Sequence, residues 1–198
     1  MKAMSNVLFI SEKTIKADTL INDNVGAEYI LPAIRTAQDM GVQNIIGTVL
    51  FNKLKSIIAD GSITQPENEA YKVLLDDYIA PYLEWKVMSD IQLPLAFKMR
   101  NSGITQTNNE HQSNSIMKDA QTLATYYDQK AIFYSHRLSD YLIANQNLYP
   151  EYTAWSNISD MKANPNAYNT GIYLGSAVGC EYIWKASVIQ EGQNKLTV

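Results

Sequence analysis

Few side chains here are of a type and spacing that could do chemistry. His111 and His136 are the only histidines, and no other side chain has an ordinary pKa near neutrality. Asp140 follows His136 by four residues, so a helix would set a carboxylate one turn from a base. An ordinary i,i+4 contact on an exposed face is the stronger reading of that pair. His111 follows Glu110 in a run of Asn and Gln and reads as a solvated loop. Adjacent Asp76-Asp77 could hold a cation, but neighbouring acids on a helix point in different directions and usually form a solvated face. Cys180 is the lone cysteine, which excludes an internal disulfide and a cysteine-based zinc site and leaves a reduced thiol among small residues.

The longer patterns lack the spacings that catalysis needs. No Glu-x-x-His or His-Glu-x-x-His occurs, and neither Gly-x-Gly-x-x-Gly nor Gly-x-x-x-x-Gly-Lys-Ser/Thr is present. Gly171, Gly175 and Gly179 repeat every four residues as membrane helix contacts do, but their polar flanks favour an extended segment. The thirteen tyrosines suit amphipathic core and interface anchors better than catalytic phenols. No enzyme, metal or cofactor is expected from these residues.

The elements behind them are mostly helices. Ser11 can cap a helix through about Thr19, with Ile10 before it as a staple residue. Asp23 or Asn24 can cap a second, which Pro32 should kink or start late and Gly41 ends, and a third covers about Val42 to Ala59 with Asp60-Gly61 as its stop. Its stripe is Ile46, Leu50, Leu54, Ile57 and Ile58. Pro66-Glu67 opens a fourth, whose apolar positions run from Tyr71 through Leu74, Leu75, Tyr78, Ile79, Tyr82, Trp85 and Met88 to Ile91, with a bend at Pro81. A fifth steps by three or four through Ile116, Ala120, Leu123, Tyr127, Ala131, Tyr134, Leu138 and Tyr141; about 30 residues make a rod of roughly 45 Å.

Between these two long helices, Leu95–Thr107 alternates Phe97, Met99 and Ile104 about Asn101-Ser102-Gly103, the signature of a β-hairpin. From Ser156 the chain turns rich in Asn, Ser and Pro, with short strand-like runs at Gly171–Gly175 and Cys180–Ile189. The expected fold is therefore mainly α: a helical bundle over 1–155 whose two long helices are linked by a projecting hairpin at about 95–107, then an extended arm over 156–198. Ribbon and arm need surfaces to cover them, either the chain's own helices or a neighbouring copy; in the second case Phe97, Met99, Arg100, Gly103, Ile104, Tyr182 and Trp184 are candidate contacts between copies.

Composition narrows the partners. The chain has 198 residues, 46% hydrophobic and only 18% charged, with a net charge of −4. A surface rich in Asn, Gln, Ser and Thr costs less to desolvate than a charged one and suits contacts between subunits. The acidic balance argues against gripping nucleic acid through its phosphates. No window approaches eighteen apolar residues, so no membrane partner is expected, and Met1–Ile10 is too short an apolar run for a secretory signal.

Four runs together resemble a known family: Tyr78-Ile-Ala-Pro-Tyr-Leu-Glu-Trp85, Leu93-Pro-Leu-Ala-Phe-Lys-Met-Arg-Asn-Ser-Gly-Ile104, Tyr134-Ser-His-Arg-Leu-Ser-Asp-Tyr-Leu142 and Tyr149-Pro-Glu-Tyr152. They look like the head–tail connector (neck ring, adaptor) proteins of tailed bacteriophages, especially those of Bacteroidetes and crAss-like phages. Leu31-Pro-Ala-Ile-Arg-Thr-Ala-Gln-Asp39 and Ile46-Gly-Thr-Val-Leu-Phe-Asn-Lys-Leu54 extend the likeness, which spans about 8–152. The resemblance implies a virion protein, made in the host cytoplasm, that forms a ring of commonly twelve copies between the portal and the next neck or tail protein. DNA would pass through the ring without specific binding, and no catalytic residue carries over. Asp60, Asp76 and Asp77 are then candidates to face the lumen, where a basic lining would hold phosphates. Two other readings stay open: a tail-completion or terminator protein or another of the stacked neck rings, and a monomeric helical regulatory or ligand-binding protein with a pocket lined by Trp85, Tyr127 and Tyr134.

Overall fold

Ser11 starts the first helix as its side chain requires: its hydroxyl accepts from the Thr14 amide, capping α1, Glu12–Asp18. The computed structural model describes residues 7–100, 103–106, 116–154 and 160–163. The chain divides into two units, Met1–Ala167 and Tyr168–Val198, and every described residue belongs to the first. Its architecture is mainly helical.

The second helix, α2, begins at Ala27 rather than after Asp23 or Asn24. Asn22 takes that stretch into a turn, its side-chain oxygen accepting the Asn24 amide and its carbonyl the Val25 amide. α2 ends at Thr36 but Gly41 does not stop the chain. The backbone continues through a π turn, Ala37–Val42, into α3, Gln43–Ala59. Gly41 is small for another reason: a Cβ there would lie 2.2 Å from the Tyr82 hydroxyl. The break falls instead at Gly47, whose φ of 77° and ψ of 160° belong to a region that only glycine occupies comfortably.

The break opens the amide of Thr48, which donates to the Met161 carbonyl, while the Met161 amide donates back to the Thr48 hydroxyl. That hydroxyl donates to Asp160 and accepts from the Gln43 amide, so its bonding capacity is filled. The hydrogen bond from the Thr48 hydroxyl, foremost, with those from the Asp160 and Met161 backbone amides and the Gln43 side chain, holds the Asp160 carboxyl below its ordinary range. Within the stretch expected as an arm, Asp160–Ala163 are thereby held against α3.

After Gly61, two 3₁₀ turns (Ser62–Thr64, Pro66–Asn68) lead into α4, Glu69–Val73. A second π turn, Leu74–Ile79, then precedes α5, Ala80–Ala96. Pro81 has no N–H for the helical ladder; the wide turn falls immediately before it and takes up the disturbance. Strands β1, Phe97–Arg100, and β2, Gly103–Gln106, pair antiparallel, Met99 opposite Ile104 and Arg100 opposite Gly103. The tip of the expected reversal, Asn101-Ser102, lies outside the described residues.

The fifth expected helix is α6, Ile116–Ala144, 29 residues long. It runs antiparallel along α5, with the Ser89 hydroxyl donating to the Ala124 carbonyl at 2.9 Å and Lys86 meeting Asp128 at 2.8 Å. Tyr127, Ala131 and Leu138 are buried as the stripe predicts, whereas Leu123 is 41% exposed. Ile30, Ile34, Ile46, Leu50, Leu54, Leu74, Ile79, Leu83 and Ile91 complete one core.

α7, Pro150–Thr153, closes the body through tyrosines. Tyr149 is fully buried, and its hydroxyl donates to the Ala70 carbonyl at 2.8 Å and pairs with the Tyr141 hydroxyl at 3.0 Å. Tyr141 in turn stacks on Tyr78 at 3.8 Å. Tyr152 has the opposite environment: its hydroxyl is buried and has no hydrogen-bond partner among the described residues. Removing an unsatisfied buried hydroxyl relieves its desolvation cost, so Tyr152→Phe should stabilise by about 1 kcal/mol, whereas Tyr149→Phe should destabilise by about 1–2 kcal/mol. Urea unfolding of both variants checks the opposite signs.

Candidate interaction surface

Among the described residues no group of three or more potential metal ligands comes together. His136 and Asp140 are both exposed, with no ion pair between them among the described contacts; His111 and Cys180 lie outside the described residues. Of the three residues expected to line a pocket, Tyr127 is buried, whereas Trp85 and Tyr134 border an open groove. Trp85 stacks on the buried Tyr127 ring with centroids 6.0 Å apart. The Lys130 ammonium lies 4.0 Å above Trp85 and 4.6 Å from the Tyr126 ring, satisfying its charge on aromatic faces. An open groove of about 410 Å³ lies outside this stack, lined by Trp85, Tyr126, Gln129, Lys130, Phe133 and Tyr134.

The charged groups between the helices are paired inward. Lys86 reaches Asp128 at 2.8 Å and Asp90 at 3.4 Å. Burial pushes the Lys86 ammonium down, but the Asp128 hydrogen bond and both carboxylates outweigh it and the net shift is upward. Burial raises Asp90, with Lys86 opposing, and raises the nearby Tyr82 phenol to about 12. The upward shift of Lys86 favours its charged form, whereas that of Asp90 works against ionisation of its carboxyl.

Glu84 has no such partner among the described residues. Burial, and then the charge of Asp18, raise its carboxyl to about 7 from 4.5. The folded chain therefore keeps this proton between about pH 4.5 and 7 while the unfolded chain has lost it. Stability falls as pH rises through that window, and the full penalty applies above it. Glu84→Gln should then stabilise more at pH 8 than at pH 4.5, with a widening of about 1 kcal/mol after solvent screening of this half-exposed group. Melting temperatures of both proteins at the two pH values check this.

The expected contact residues divide in two. Phe97 is half-buried at the start of β1; Met99, Arg100, Gly103 and Ile104 sit on the paired strands, and Tyr182 and Trp184 lie outside the described residues. Asp60, Asp76 and Asp77 are all exposed. Asp60 follows α3 and takes a 3.4 Å hydrogen bond from Ser56, while Asp76 and Asp77 occupy the second π turn. Sequence reasoning missed the outer face of α6, where Phe133 is 64% exposed, Tyr126 52% and Ile132 48%. Its signal was present as the complement of the buried stripe: the exposed positions from Gln121 through Phe133 carry no charge. Apolar groups gathered on an uncharged face mark a contact surface.

Residues 42–160 match the profile of a family described as a family of unknown function (DUF6712). The match takes in α3 through α7 and ends at Asp160. No curated protein and no solved structure matches the chain.

Proposed function

The chain belongs to DUF6712, a family of unknown function, and we propose that it is a structural part of a tailed-phage neck. In this reading copies form a ring beneath the portal, extend the DNA channel and present a platform to the next neck or tail protein, placing the chain in the virion. The observation that carries the reading is the ribbon. β1 and β2 form a sheet of two strands, with no third strand among the described residues, set between α5 and α6. A two-stranded ribbon is marginal alone. Its free edges suit addition to a neighbour's backbone, and in a closed ring such an edge is covered at every subunit. The exposure of Asp60, Asp76 and Asp77 is compatible with a lumen through which phosphates slide without being held. The resemblance of the α5, hairpin and α6 runs to connector proteins supplies the identity of the ring.

A tail-completion or terminator role uses the same features and differs in which neighbour the chain binds. A regulatory or ligand-binding role would use the groove bordered by Trp85 and Tyr134. Native mass spectrometry of the full chain mixed with the portal of the same phage tests the proposal. A complex with multiple copies of the chain per portal is expected. A chain that binds tail proteins but not the portal would move the assignment to the tail, and one that binds neither would overturn it.

A further inference from the structure

The outer face of α6 has a second property: it is complementary to itself. Its most outward line, opposite the buried Tyr127–Ala131–Leu138 stripe, passes through Gln129, which is exposed. Lys118 and Asp140 lie eleven residues to either side of Gln129, both exposed and neither with an ion-pair partner among the described residues. At 1.5 Å per residue each is about 16 Å from Gln129 along the axis. Tyr126 and Ile132 are likewise equidistant from Gln129, as are Thr125 with Phe133 and Thr122 with His136, and all are exposed.

From this spacing we propose that two copies of the chain pair in solution through antiparallel α6 helices, with the twofold axis at Gln129. Reversing one helix about that point sets Lys118 of each copy opposite Asp140 of its partner, at both ends of the contact. Between the two ion pairs, Tyr126 meets Ile132, Phe133 meets Thr125, and the two Gln129 amides face each other. A face with charges of opposite sign at equal distances from its centre is matched by its own copy and by few other surfaces. The charges nearest the centre do not interfere: Asp128 is bonded to Lys86, and Lys130 is folded over Trp85.

Magnitude sets the strength of the pair. Tyr126 and Phe133, each about half exposed, have roughly 100 Å² of ring left to cover. With Ile132 and the polar flanks on both copies, the contact reaches about 1,000 Å², the low end for specific interfaces. A dissociation constant of roughly 10–100 μM is therefore expected. The contact closes after two copies and does not itself propagate a ring, so it stands apart from the neck reading and is tested without the portal.

Sedimentation of the full chain across that concentration range should show a monomer–dimer equilibrium. Lys118→Asp alone, or Asp140→Lys alone, places like charges at both ends and should weaken the dimer by about tenfold. Combining the two restores both pairs and should return the constant to within about twofold of the starting protein. In a Cys180→Ser background, Gln129→Cys should form an interchain disulfide readily, and Thr122→Cys, displaced from the axis, should not. Circular dichroism confirms that each variant is folded. A monomer at all concentrations, larger species indifferent to the charge changes, a double variant no tighter than the single ones, or equal cross-linking at 122 and 129 would each overturn the pairing.

Discussion

Gly47→Val is expected to cost about 3–4 kcal/mol of stability and to release Asp160–Ala163 from α3. Two effects add at this position. A β-branched residue at φ 77°, ψ 160° is strained by about 1–3 kcal/mol. A Cβ there would also lie 2.7 Å from the backbone nitrogen of Ala163, a contact that only movement of the segment can relieve. Once it moves, the reciprocal Thr48–Met161 bonds open and the Thr48 hydroxyl loses its carboxylate. Gly61 provides the control, since it has φ 70° but open space where a Cβ would project. Gly61→Ala should show only the conformational cost, about 1 kcal/mol. Chemical denaturation, with proteolysis near Asp160 followed by mass spectrometry, reads both effects. Equal stability losses at 47 and 61, with no new cleavage, would show that the segment is not held by this break.

Gln38→Leu should cost about 2–3 kcal/mol and detach the extended segment before α1. Gln38 is 2% exposed, in the first π turn. Its side-chain oxygen accepts the Phe9 amide at 2.9 Å and its nitrogen donates to the Val7 carbonyl at 3.0 Å. One amide thus replaces the neighbouring strand that an extended segment ordinarily needs. Leucine fits the volume but leaves two backbone groups without partners, and that desolvation dominates the cost. The Phe9 ring, edge-on to Phe51 at 5.2 Å, would lose its seat as well. Hydrogen exchange at the Phe9 amide is the direct readout: protection should fall by a factor of about a hundred beside an otherwise unchanged core. Unchanged protection would mean that packing, not the amide pair, holds the segment.

These two sites also show what could and could not be read from the residues. Ser11 as a cap and the stripes of α3, α5 and α6 were legible because their partners lie within a turn or two, where periodicity decides which face is buried. Gly41 and Gly47 look alike in one dimension. What separates them is contact with Tyr82 in one case and Ala163 in the other, and neither neighbour is near in sequence. Gln38 was not singled out because a glutamine on a helix normally reads as solvated surface, and its partners lie 29 and 31 residues away. The π turns were hidden for a related reason: an extra residue in a turn shifts the stripe without interrupting it. The candidate site was legible only in part. Hairpin alternation pointed to residues 97–104, but the outer face of α6 emerges only once the helix's inner face is known.

The claim on which the functional account rests is that this chain is built to be covered by its own copies at the neck. If a phage encodes this chain, as proposed, a reconstruction of the neck in its intact virions tests this most directly. The account predicts a closed ring of this chain against the portal, with the β1–β2 ribbon at the boundary between neighbouring subunits. A neck complete without the chain, or one in which it is bound singly with the ribbon facing solvent, would contradict it.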